Sequence, residues 1–408
     1  MRATPDPATR RGPDPRSRRP LPPFWVMAAA LLSVAINLRV TMTSIPPLID
    51  EISADLGLSH SMAGLLTALP VLCMGLFAPL ASRIAHGIGA PAAVLCSVLA
   101  ILLGTIGRGL GNHVVLLYLG TFVAGVGIAI AGTLLPQLVK TFFPPGRVGL
   151  ATGLYMGGML GGATVASALA VPLADFFGSW QASLAFWAVF AVLGLLVWAP
   201  FTRRANPHHL RGEAGRAGLP WTNLVAWTVA IYLAVQSWSF YSSIAWLAPS
   251  YVEQGWSTTS AGFLLAAFTT AQIISGLLGP VFSDRVIDMR GLLIFSAAMG
   301  TIGSFGVYFA PLALPWLWVF ILGLGQGSAF SLGLVLLVRY ARTPAASARL
   351  SGMGFLVCYT VAAFGPLVMG GLRDRVGTLT LTWLILGLLG MAQAGLALRL
   401  RPDLPQIA

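Results

Sequence analysis

Runs of apolar residues, each about as long as a membrane core is thick, alternate along this chain with short polar gaps. They fall at 24–46, 60–82, 91–108, 114–135, 150–173, 180–201, 223–247, 259–282, 291–310, 316–338, 350–372 and 380–398. Each suffices to cross ~30 Å of hydrocarbon as a helix. The longest interior gap, Thr202 to Thr222, is polar, arginine-rich and carries Pro207 and Pro220. It divides the twelve runs into six and six. The pattern predicts a basic, disordered tail over 1–23, a six-helix bundle over 24–201, and a linker over 202–222. A second bundle over 223–400 and a short tail over 401–408 follow.

The two halves carry the same punctuation. Thr152-Gly153 precedes Asp175-x-x-Gly178 by the distance at which Ser351-Gly352 precedes Asp374-x-x-Gly377. Gly75-x-x-x-Pro79 matches Gly276-x-x-x-Pro280, and Gly125-x-Gly127 matches Gly323-x-Gly325. Three matches in the same order indicate internal duplication. The expected fold class is therefore an all-α integral membrane protein, its twelve transmembrane helices arranged as two pseudo-symmetric six-helix bundles. In such duplicated carriers the binding site lies between the halves, near the midplane.

Composition agrees with the pattern. Hydrophobic residues make up 57% of the 408 and charged residues only 9%, against roughly 25% charged in soluble domains. The net charge of +12 forms no contiguous basic face, so nucleic acid is not an expected partner. The charge is instead sided. Twenty of the 24 Lys and Arg fall in the tails and gaps on the side of the N-terminus, six of them in the tail before Phe24. Only Arg108, Arg373 and Arg375 are assigned to loops on the other side. This predicts an inner-membrane, multi-pass protein with both termini cytoplasmic. Arg18-Arg19 has the look of a twin-arginine signal, but Leu21-Pro22-Pro23 and the long apolar run that follows do not fit one. Cys73, Cys96 and Cys358 are unpaired in spacing, and no metal-ligand spacing or P-loop occurs. No cofactor and no enzyme activity are predicted.

Against that background Arg39 stands out. It lies about two-thirds along the first run, ~22 Å from its start at a helical rise of ~1.5 Å per residue. A charge at such depth costs roughly 2.5–3.5 kcal/mol on insertion scales. Two readings remain open: Arg39 meets a solute or a buried polar network, or it reaches ~10 Å outward to pair with Asp50 or Glu51. All twelve acids and all five histidines fall in tails, loops or span ends. Arg39 thus has no obvious buried counter-ion, and an anionic solute would supply one. Ser33, Asn37, Thr41 and Ser44 share one face of the first helix, about a third of a turn or more from Arg39 and Thr43. The seventh span is rich in aromatic and polar groups, among them Gln236, Tyr241 and Trp246. Trp246 suits an interfacial belt, whereas Gln236 and Tyr241 sit too deep for one. Gln326 in the tenth span is a similar polar candidate.

Gly279-Pro280-Val281-Phe282-Ser283-Asp284-Arg285 resembles the cytoplasmic loop signature of the major facilitator superfamily. Asn37-Leu38-Arg39, Ala63-Gly64-Leu65-Leu66-Thr67, Phe143-Pro144, Gln236-Ser237 with Phe240-Tyr241, and Gly323-Leu324-Gly325-Gln326-Gly327 narrow the likeness. They resemble the cyanate-transporter and 2-nitroimidazole-exporter family within it. The resemblance implies a monomeric secondary transporter of a small anion or small polar heterocycle, working by alternating access. Spans one, four, seven and ten would line its cavity, so Asn37, Arg39, Gln236, Tyr241 and Gln326 are the expected substrate-binding residues. Asp284 and Arg285, facing Arg147 at the start of span five, are the expected gate, since a carboxylate is drawn to a helix N-terminus. The alternatives are an exporter of amphipathic compounds and a membrane sensor.

Overall fold

The first apolar run folds as helix α1, Phe24–Thr43, and stops where Pro46–Leu48 forms a short 3-10 turn. Proline cannot supply the amide that a continuing helix needs. The amphipathic helix α2, Ile49–Leu56, follows. The remaining first-half helices are α3, His60–Ile88; α4, Ala90–Gly109; α5, Val114–Phe142; α6, Val148–Phe177; α7, Trp180–Phe186; and α8, Ala188–Thr202. The sixth span is thus broken beside Trp187. The second half holds α9, Leu224–Glu253; α10, Thr258–Ser283; α11, Arg290–Phe309; α12, Pro315–Arg339; α13, Pro344–Val376; and α14, Thr380–Arg399. This computed structural model describes residues 23–110, 113–144, 147–202 and 218–407. The predicted basic tail up to Pro22 and the arginine-rich centre of the linker, 203–217, lie outside the described residues.

Among the described residues, twelve helical spans are long and apolar enough to cross a membrane. Their caps are local sequence features. Ser59, Ser179, Asn223, Ser257 and Thr343 each accept from the amide three residues on, as N-caps do. The repeated Asp-x-x-Gly ends both α6 and α13, with Gly178 and Gly377 in the left-handed region at φ 71° and 84°. That conformation is nearly free for glycine and strained for other residues.

Packing repeats with the sequence. The pair α4–α5 is matched by α11–α12, α3–α5 by α10–α12, and α1–α6 by α9–α13. Likewise α4–α8 is matched by α11–α14, and α1–α8 by α9–α14. The two six-span bundles meet along α3–α13 and α6–α10, again an equivalent pair. Leu103, Leu196, Phe295 and Leu388 point outward and are exposed, an apolar girdle suited to lipid. On the face that bears the C-terminus, residues beyond α14 fold back. Ile407 donates its amide to the Tyr340 carbonyl at 2.7 Å and accepts from Arg342 at 2.8 Å.

Candidate functional site

Arg39 sits on α1 one turn before that helix ends, and its side chain lies between the bundles. Its Nη1 donates to the Tyr241 hydroxyl at 3.2 Å. The guanidinium carbon lies 5.3 Å from the Phe240 ring centroid and 5.6 Å from that of Tyr241. Both rings come from α9, in the opposite bundle. Arg39 is only 9% exposed, yet it belongs to none of the three ion pairs among the described residues, which join His60–Asp374, Arg290–Asp288 and Arg373–Glu253. Asp50 and Glu51 are exposed on α2 and do not reach it. Of the two readings open in the sequence, the outward pairing is the one the structure does not adopt. Aromatic faces, each worth roughly 0.5–2 kcal/mol to a nearby cation, take the place of a carboxylate.

Tyr241 carries a hydroxyl whose own proton is poorly used. It points at the Met74 sulfur, 3.8 Å away on α3, and a thioether is a weak acceptor. The Tyr359 ring lies 6.5 Å from that of Tyr241, and Tyr155 belongs to the same buried cluster. A solute oxygen here would accept from Arg39 in one bundle and from Tyr241 in the other.

The other expected binding residues are not in this group. Asn37 turns into its own bundle, where Nδ2 donates to the Ser33 carbonyl at 2.7 Å and the Phe190 carbonyl at 2.9 Å. Two residues from Arg39 on a helix is about half a turn, which is why the two diverge. Gln236 and Gln326 do meet, through Gln236 Nε2 at 3.1 Å from the Gln326 carbonyl and 3.3 Å from its Oε1. Ser237 donates to Gln236 Oε1 at 3.0 Å, and the Cys358 thiol donates to Ser237 at 2.9 Å. This network knits α9, α12 and α13 within the second bundle and leaves Gln236 on a different face from Tyr241. Trp246 is no interfacial anchor either: it is buried, with its indole N–H on the Pro366 carbonyl at 2.9 Å.

Arg108 is the largest correction. Assigned from sequence to a loop, it is fully buried in the last turn of α4. Its Nη1 donates to the Thr41 carbonyl at 2.8 Å, so it caps the end of the helix that carries Arg39, where a cation is favoured. Nε and Nη2 have no partner among the described residues. The signal was present in Ile106-Gly107-Arg108-Gly109: glycines flanking a charge let helices close around it rather than mark a turn.

At the opposite end of the spans, Asp284 and Arg285 are exposed beyond α10 and make no side-chain bond to α6. Arg147 is exposed and stacks on Phe24 at 5.1 Å. The three expected gate residues are therefore apart in this state. Their loop is instead gripped by Arg339, one of the twenty basic residues counted on the side of the N-terminus. Arg339 Nη2 donates to the Ser283 and Val286 carbonyls at 2.6 and 2.9 Å, and Nη1 to Ile287 at 2.9 Å.

Comparison with known proteins agrees with this architecture. The family model described as Major Facilitator Superfamily matches residues 27–366. The chain is 35% identical to the 2-nitroimidazole transporter of Escherichia coli K12, over 90% of this chain and 93% of that protein. It is 32% identical to the cyanate transport protein CynX of the same organism, over 88% and 92%. A crystal structure of a D-xylose-proton symporter superposes with a TM-score of 0.73 at 14% identity, over 93% of this chain and 98% of that one, a likeness of fold. With its duplicated twelve-span architecture, a family match over most of its length and relatives that are transporters, this multi-pass membrane protein belongs to the Major Facilitator Superfamily.

Proposed function

We propose that this protein is a secondary carrier that moves a small anion, or a small polar heterocycle, by alternating access. One observation carries the reading: a buried arginine, with no carboxylate partner among the described residues, bridges the two bundles through Tyr241. A buried charge left uncompensated is costly, so an anion that accepts from both Arg39 and Tyr241 is the natural ligand. The flanking rings of Phe240 and Tyr241 suit a thin solute, such as the linear cyanate ion or a planar nitroimidazole. Gln236 and Gln326 act behind this contact, by fixing α9 on α12.

The sidedness of Lys and Arg puts the termini in the cytoplasm, and the working unit is the monomer in the cytoplasmic membrane. No chemistry on the solute is assigned. Asp284 and Arg285 belong to the state closed toward the cytoplasm, where α6 and α10 would bring Arg147 within reach.

The test is uptake into proteoliposomes of labelled cyanate and of 2-nitroimidazole, with and without a pH gradient, by wild type and Arg39→Ala. Removing a charged hydrogen-bonding partner costs about 1.5–3 kcal/mol, so uptake of the transported solute should fall ten- to a hundredfold while membrane insertion persists. Transport by Arg39→Ala at the wild-type rate would sink the assignment.

A further inference from the structure

The first turn of α3 leaves amide N–H groups without helical partners, as every helix start does. Ser59 takes that of Met62 at 3.2 Å. Those of His60 and Ser61 are taken from the other bundle: Asp374 Oδ1 accepts from the His60 amide at 2.8 Å and Oδ2 from the Ser61 amide at 2.8 Å. The Ser61 hydroxyl adds a bond at 2.6 Å, and His60 Nδ1 lies 2.9 Å from Oδ1. One carboxylate of α13 thus caps α3. The helix dipole and charge-assisted bonds both favour it. Its neighbour Arg373 is fixed by Glu253 at the end of α9, and Glu253 also accepts from the Leu379 amide at 2.9 Å. The carboxylate is presented on a braced turn.

The internal repeat supplies a control for this contact. Asp374 lies 199 residues after Asp175, and Thr258-Thr259 lie 198 after His60-Ser61. The two seams share a register, and it differs by three residues from the one that matching Gly75-x-x-x-Pro79 to Gly276-x-x-x-Pro280 implies, so that match is not a structural equivalence. A side chain at Gly64 would run into the Pro366 carbonyl, and one at the equivalent Gly262 would meet the Ser167 carbonyl at 2.9 Å. Asp175 should therefore cap α10, but it is exposed and makes no hydrogen bond among the described residues. The reason lies one turn down. Gly370 packs so closely on the His60 carbonyl that no side chain would fit, and its repeat equivalent is Val171. A valine is incompatible with so close an approach.

We propose that the Asp374 contact is a one-sided lock on the outer face, holding α3 against α13 whenever the carrier is closed to the outside. The equivalent α6–α10 seam has lost its lock through Val171. Opening outward then requires Asp374 to leave the α3 terminus, and no comparable bond breaks on the other seam. The outer-face label rests on the orientation proposed above, but the lock itself does not.

The test is labelling of a cysteine at Thr67, which is buried on the α3 face three residues beyond Gly64. Native cysteines are replaced by alanine and a membrane-permeant maleimide is used, so the result is independent of orientation and of any solute. Asp374→Asn should raise the labelling rate roughly tenfold, the change expected from losing one charge-assisted bond, and Asp175→Asn should leave it unchanged. No rise with Asp374→Asn, or an equal rise with Asp175→Asn, overturns the proposal. If Asp374→Asn does not reach the membrane, the double variant His60→Ala, Ser61→Ala decides by the same criterion, since it removes both side-chain groups that bond Asp374 from the other side of the lock.

Discussion

Side chains within two or three residues of one another on a helix do different work here, and experiment can separate them. Arg39 and Tyr241 face each other across the bundles, whereas Asn37 holds the Phe190 carbonyl inside one bundle. Tyr241→Phe removes a hydroxyl but keeps the ring, so the apparent KM should rise about five- to tenfold for a loss near 1 kcal/mol. Asn37→Ala should leave KM within about twofold and instead lower stability by about 1 kcal/mol, because two part-buried carbonyls lose a donor. Paired uptake and thermal-melt measurements check both, and a KM effect from Asn37→Ala would return that residue to the site. The depth of Arg39 was legible in the sequence from its position in an apolar run. Its partner was not, since Tyr241 is 202 residues away and no local pattern encodes that pairing. Arg108 was misplaced for a related reason: hydropathy registers that an arginine is charged, not that it caps a neighbouring helix.

At the scale of elements, spans, caps and repeats were readable because each is a local periodic signal. The end-to-end contacts between elements were not. The Asp284-Arg285 loop illustrates the difference. Its motif suggested a latch, but the contact that organises the loop in this state comes from Arg339 at the end of α12. Arg339→Ala should therefore release three carbonyls and destabilise the second bundle by about 2 kcal/mol, discounted for partial exposure. A melting temperature within about a degree of wild type would show the grip to be incidental. Asp284→Asn, by contrast, should leave the melting temperature of this state unchanged, because its carboxylate makes no ion pair among the described residues. It should instead increase modification of a cysteine on the cytoplasmic stretch of α10, as the state closed to the cytoplasm becomes less populated. Equal accessibility in the two proteins would remove Asp284 from the gate.

For the whole molecule, the duplication visible in the sequence reappears as five equivalent helix pairs, and the departures from symmetry are where function concentrates. Arg39 has no charged counterpart in the second half: the position 198 residues on is Ser237, which binds within its own bundle. One bundle therefore supplies charge and the other supplies rings and a hydroxyl. On the proposed function, a solute that accepted from both would draw the bundles together, and differential affinity of this kind is what shifts a two-state equilibrium. The same arrangement makes a statement about protons. Every acid and histidine falls outside the span interiors, and arginine and tyrosine ordinarily keep their charge state between about pH 5.5 and 8. Affinity for a permanently ionised anion should then vary less than about twofold over that range, measured by calorimetry on the purified carrier. A pH gradient should drive accumulation only of solutes that carry the proton themselves, as a weak acid does. A tenfold change in affinity across the same range would place a titrating group in the binding step.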